Sequence, residues 1–281
     1  MKSHHFLATV LMGASLLHAA PAKRIVSLGG PVTETVFALG EGGRVIAIDL
    51  SSVWPPEAAK LPKVGYHRAL SAEGVLSLNP DLVLGSDEAG PPAVLDQIRA
   101  AKVPVSLVPV EYTVEAARSK ILAIAKVLGK EKEGGKLVAS LDADVKKAQG
   151  RVAASKARPR VLFIYARGQG TLSVSGRGTA ADAMIALGGG VNAVTGYDGY
   201  KPLTPEALAA ANADVILMTT RGLESVGGKT GLLAQPGVAL TPAGKAGNIV
   251  ALDDELLLGF GPRLGQGVLA LAVALHPETR P

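Results

Sequence analysis

The residues best suited to chemistry are Tyr66 and Arg68, two apart behind Gly65 in KVGYHRAL (63–70), and two glutamates, Glu73 and Glu206. A phenolate is a hard anionic ligand that suits ferric iron, whether free or held in a porphyrin. If residues 66–68 are extended, Tyr66 and Arg68 project to one side and His67 to the other. Arg68 would then favour the phenolate over the phenol. The same types also suit a solvated surface pair, and residue types alone leave both readings open.

The glutamates belong to a repeat. LSAEGVLSLNPDLVL (70–84) aligns without gaps on LTPEALAAANADVIL (203–217), pairing Glu73 with Glu206, Asn79 with Asn212 and Asp81 with Asp214. A carboxylate in the first turn of a helix is stabilised by the helix dipole. That accounts for each glutamate alone but not for both at one position of a repeat. Two copies of one architecture imply two lobes, and a cleft between lobes is where small ligands bind.

Other chemistries are poorly served. The chain has five histidines and no cysteine. Beyond the first 22 residues only His67 and His276 remain, and the three or four ligands of a zinc or manganese site are not visible, so a direct metal-ion receptor is not expected. His276 precedes Pro277 at the end of an apolar run, where a solvated position is expected. Gly40-Glu41-Gly42-Gly43 follows a helical pattern rather than opening one, which makes it a helix stop and not a phosphate cradle. No Gly-x-Ser-x-Gly or P-loop is present, and a Ser-His-Asp site lacks its histidine.

Residues 1–22 read as a cleaved signal peptide. Lys2, His4 and His5 precede the apolar run Phe6–Leu17, which is too short to span a bilayer, and Ala20-Pro21-Ala22 offers a cleavage site after Ala22. Without cysteine there is neither a disulfide nor a site for lipid attachment, which favours a freely diffusing monomer in the periplasm. The formal net charge of +5, or +4 without Lys2, suits an anionic ligand without naming one. No run of like charge suggests nucleic acid.

Hydrophobic residues make up 48% of the chain, and 34 glycines and 18 prolines punctuate it into short elements. The apolar run 24–28 reads as a buried parallel strand, followed by a helix over 33–39 and a strand over 45–49. A loop covers 51–62, a short helix starts at Ser71 or Ala72, and 82–84 is a strand. A helix over 93–101 and a strand over 103–108 follow. The 3.6-residue spacing of Val114, Ala117, Ile121, Ile124 and Leu128 predicts an amphipathic helix over 114–128. The spacing continues from Leu137 to Val152, which predicts a long helix bridging the lobes over 131–155 despite Gly134-Gly135. The second half repeats the order, with a strand over 161–165, a helix over 179–187, a loop over 191–201 carrying Tyr197 and Tyr200, the repeated helix and strand, a strand over 249–252 and a terminal helix over 267–275. Strand and helix alternate throughout, which is the pattern of α/β units with mainly parallel sheets. The expected organisation is an N-terminal lobe (23–130), a bridging segment (131–157) and a C-terminal lobe (158–281).

Five stretches carry a family resemblance: RIVSLGGPVTETVFALG (24–40), VGYHRALSAEGVLSLNPDLVL (64–84), TAADAMIALGG (179–189), GYKPLTPEALAAANADVILM (199–218) and GFGPRLGQGVLALA (259–272). Together they resemble the periplasmic haem-binding proteins of bacterial ABC importers, within the wider group that binds cobalamin and ferric siderophores. The resemblance implies capture of haem between the lobes and delivery to an inner-membrane permease and its ATPase, in a system that can include an outer-membrane haem receptor, with no reaction catalysed. It makes Tyr66 the axial iron ligand, Arg68 the partner of its oxygen and Arg221 the second-lobe arginine that closes over the haem. It makes Glu73 and Glu206 the carboxylates that dock on the permease. Tyr197 and Tyr200 are expected at the cleft or packed beside it. Some members of the family stack two haems using a second-lobe histidine. No histidine lies between His67 and His276 here, so one haem is expected. The alternatives are a receptor for a ferric siderophore or a corrinoid and, from another class, a chelatase built from two α/β halves.

Overall fold

A computed structural model describes residues 22–168 and 172–279; the expected signal peptide lies outside them except for Ala22. The first half builds one sheet from β1 (Ile25–Leu28), β2 (Val45–Ile48), β3 (Leu82–Ser86) and β4 (Val105–Val108), all parallel in the order β2-β1-β3-β4. β1 and β3 are buried along their whole length, as strands covered on both faces by helices must be. The second half uses β5 (Arg160–Tyr165), β7 (Val191–Asn192), β9 (Val215–Thr219) and β10 (Ile249–Leu252) in the order β7-β5-β9-β10, again parallel. This is the topology of the first sheet repeated.

The second sheet also has an antiparallel extension. β6 (Ser173–Ser175) pairs with the end of β5, and β8 (Tyr200–Pro202) pairs with β6. The sequence reading treats 191–201 as loop, whereas β7 and β8 lie within or against it. Strands of two and three residues are too short to carry a period-2 signal.

The sequence repeat corresponds to one clamp made twice. Asn212 caps its helix at positive φ, 41°, and Asn79, two residues past the Ser77 cap of its own helix, also has positive φ, 49°. Two residues on, Asp81 accepts the backbone N–H groups of Lys23 (2.7 Å) and Arg24 (2.9 Å), and Asp214 accepts that of Arg160 (2.8 Å). The Arg24 side chain donates to the carbonyls of Leu78 and Asn79, and that of Arg160 to the carbonyl of Ala211. Each lobe thus ties the end of its short helix to the start of its central strand.

The helix Val114–Leu128 starts at the Thr113 cap and ends at left-handed Gly129. A single helix, Glu131–Ala154, then runs without a break through Gly134-Gly135. Gly134 is there for contact, since a Cβ on it would lie 2.5 Å from that of Ala125 on the preceding helix. Farther along, Leu141, Val145 and Ala148 share a core with Leu264, Val268 and Leu271 of the terminal helix Leu264–Leu275. That burial carries His276 inside. It is 0% exposed, with Nε2 3.2 Å from the Gly188 carbonyl, so the expectation of a solvated histidine is corrected.

Candidate functional site

The loop after β2 sets up the site on the first lobe. Gly65 has φ +97°, a conformation open to glycine and costly for other residues. Its carbonyl accepts from Leu50 N–H at 2.9 Å, and Ala69 N–H closes a turn on Tyr66 O at 2.8 Å. Residues 66–68 therefore turn rather than extend, and the alternation expected from an extended chain fails. Tyr66, His67 and Arg68 all line one cavity. Tyr66 keeps 38% of its surface exposed there.

His67 is the corrected member of the three. It is 7% exposed, and its Nδ1 lies 3.0 Å from Asp49 Oδ2. Burial alone would push the Asp49 carboxyl up. Donors from His67, Ser51, Ser52 and the Gly29 N–H outweigh burial and hold it well below the usual carboxylate range. The other ring nitrogen, Nε2, faces Glu88 Oε2 at 4.0 Å. The His67 ring meets that of Tyr66 edge-on with centroids 4.6 Å apart, so it braces the tyrosine from below. Arg68 is committed first to Glu88, with which it forms an ion pair, a partner that the sequence does not advertise.

The cavity measures about 670 Å³ and is walled by both lobes, within the range of small-ligand pockets. The first lobe contributes the Tyr66 turn, Glu88, Tyr112, Lys120 and the glycine start of the helix Gly30–Ala38. The second lobe contributes Tyr165, Arg167, Arg221, Asp254 and Glu255. Arg221 sits in the first turn of the short helix Thr220–Ser225, its backbone N–H 3.4 Å from Asp254 Oδ2.

Sequence reasoning missed Tyr165 and Arg167. They repeat the Tyr-x-Arg spacing of Tyr66 and Arg68, and the Arg167 guanidinium lies 5.4 Å from the Tyr165 ring centroid. Burial raises the Tyr165 pKa and Arg167 pulls it back. The signal is present in the sequence. It is hidden because Tyr165 ends β5 whereas Tyr66 follows β2, so the two pairs do not align in the repeat. Tyr200, by contrast, is not part of the cavity wall. Its ring packs on that of Tyr165 with centroids 5.9 Å apart. Its outer face is exposed, while burial of the phenol end raises its pKa to about 12. Tyr197 reaches the Val174 carbonyl at 3.3 Å and packs in the second-lobe core.

Glu73 and Glu206 lie outside the cavity, both exposed. Each is the second residue of a short helix, Ala72–Leu76 behind the Ser71 cap and Pro205–Ala211 behind the Thr204 cap.

Residues 25–256 match the family model described as periplasmic binding protein. The chain belongs to that family. Among solved structures the chain is similar to the periplasmic heme-binding protein RhuT from Roseiflexus sp. RS-1, with 47% identity and a TM-score of 0.87 over 92% of this chain and 100% of that one. The periplasmic heme-binding protein BhuT, solved with two hemes, matches at 46% identity and TM-score 0.85 over 92% and 99%. An uncharacterized ABC transporter substrate-binding lipoprotein of Bacillus subtilis, YvrC, is 30% identical over 92% of this chain and 81% of its own length. The vitamin B12-binding protein of Vibrio cholerae is 37% identical over 79 residues, 28% of this chain. These solved relatives confirm the two-lobed α/β architecture. Among the described residues no helix is long and apolar enough to cross a membrane, and no group of three or more His, Cys, Asp or Glu could hold a metal ion.

Proposed function

We propose that the protein captures haem between its lobes in the periplasm, after removal of residues 1–22, and delivers it to an inner-membrane ABC permease and its ATPase, catalysing no reaction. The observation that carries this reading is the pair of Tyr-x-Arg units lining one interlobe cavity. Tyr66 is the axial ligand to ferric iron and Tyr165 offers a second phenol from the second lobe. Arg68 and Arg167 each place a cation near a tyrosine that must lose its proton to bind. Arg221 closes over the ligand from the second lobe. The second-lobe ligand missing as a histidine is thus available as a tyrosine, which reopens the stacking of two haems.

Equilibrium dialysis against haem, cyanocobalamin and a ferric siderophore tests the assignment. Haem alone is expected to be retained, and the end point of an absorbance titration counts the molecules held. Retention of cobalamin in place of haem would move the protein to the corrinoid branch of the family. Turnover of porphyrin and ferrous iron to haem would make it an enzyme.

A further inference from the structure

The cavity floor holds a buried cation that the iron-binding reading leaves unused. Lys120 projects from the helix Val114–Leu128 and is 3% exposed, yet it lines the cavity. An ammonium has three donors. Among the described residues Lys120 uses one, at 3.3 Å to the carbonyl of Phe260 from the second lobe. Desolvation of a buried ammonium with donors unfilled is costly, and burial does pull the Lys120 pKa down, partly offset by Asp87, Glu255 and Glu88.

The neighbouring acids do not satisfy it. Glu88 is engaged by Arg68. Glu255 lies so close to Gly30 that a methyl group there would collide with its carboxyl. Burial, with Glu34 and Asp253 nearby, raises the Glu255 pKa to about 8, so at neutral pH it is mostly protonated and can itself donate. A floor of one free ammonium, one carboxylic acid and one closed ion pair suits an anion better than an apolar edge.

Resting on the haem reading above, we propose that Lys120 anchors a carboxylate of the cargo, so that haem enters with its propionate edge toward the floor and its apolar edge toward the mouth.

The test compares haem with haem dimethyl ester, which keeps the iron and the ring but carries no propionate charge. Wild type is expected to bind the free acid roughly tenfold to a hundredfold more tightly, the range of one charge-assisted hydrogen bond. Lys120→Met should erase that difference by weakening the free acid alone. Lys120→Gln serves if the methionine variant does not fold, and should keep part of the preference. Equal binding of acid and ester by wild type would overturn the proposal without any variant. So would a Lys120→Met protein that loses both ligands equally, since the lysine would then serve only to hold Phe260. Failure of wild type to bind either porphyrin would instead sink the haem reading, and the anchor with it.

Discussion

At the scale of single residues the site is governed by which charges are buried and what they meet. Asp49 is deep, yet donors from four residues keep it ionised. Glu255 is only partly buried, on the cavity wall, but no hydrogen-bond donor reaches its carboxyl among the described residues, so desolvation dominates and its pKa rises to about 8. A carboxyl whose folded pKa exceeds its ordinary 4.5 takes up a proton on folding. Its stabilising contribution is complete below about pH 4.5 and is lost as pH rises through about 8. Glu255→Gln mimics the protonated form at every pH. It should raise the Tm at pH 8.5 by several degrees, at about 2–4 °C per kcal/mol, and leave it nearly unchanged at about pH 4, below the unfolded value. An equal Tm difference at both pH values would show that the carboxyl does not titrate in this range. Little of this was legible beforehand. Tyr66 and Arg68 stand out in the sequence by type and spacing, but the turn at Gly65 that brings His67 into the same wall depends on contacts with Leu50. Glu88 and Glu255 sit in unremarked stretches, and Lys120 on a helix read for its apolar face alone; all three acquire meaning only when the two lobes meet.

At the scale of elements, periodicity located most of the fold because most helices bury one face. The predicted helix over 114–128 and the observed Val114–Leu128 coincide, as do the strand 249–252 and β10. The elements missed are short, among them β6, β7 and β8, the helix Thr220–Ser225 that carries Arg221, and the five-residue helix Asp254–Leu258 that delivers Asp254 and Glu255 to the cavity. The double glycine in the long helix gives a test at this scale. Adding a methyl to an exposed helical glycine gains up to about 1 kcal/mol from propensity. A Cβ at Gly135 meets nothing within 4 Å, so Gly135→Ala should stabilise by that amount. At Gly134 it would strike Ala125, so Gly134→Ala should destabilise, since overpacking costs about 1–3 kcal/mol. Urea unfolding of the two variants should move in opposite directions. If both gain stability, the two helices are less closely apposed than described.

For the whole molecule, the repeated clamp at Asn79–Asp81 and Asn212–Asp214 is what makes the two lobes equivalent. It also fixes Glu73 and Glu206 at equivalent exposed places, one per lobe. Charges on such a rim set docking rate and register more than fold stability. The Glu73→Ala/Glu206→Ala double variant should therefore bind haem like wild type and fail to stimulate the ATPase of the reconstituted transporter. Undiminished stimulation would remove the docking role. The lobe plan was legible because the repeat is gapless. The cleft chemistry was only half legible, because the second tyrosine does not fall in register with the first.

The most direct measurement is an absorbance titration of wild type, Tyr66→Phe and Tyr165→Phe with ferric haem. Phenylalanine keeps the ring and removes only the oxygen. The account predicts a saturable Soret change with a phenolate-to-iron band in wild type. That band and most of the affinity should be lost in Tyr66→Phe, and a smaller loss should appear in Tyr165→Phe. A Tyr66→Phe protein that titrates like wild type would contradict it.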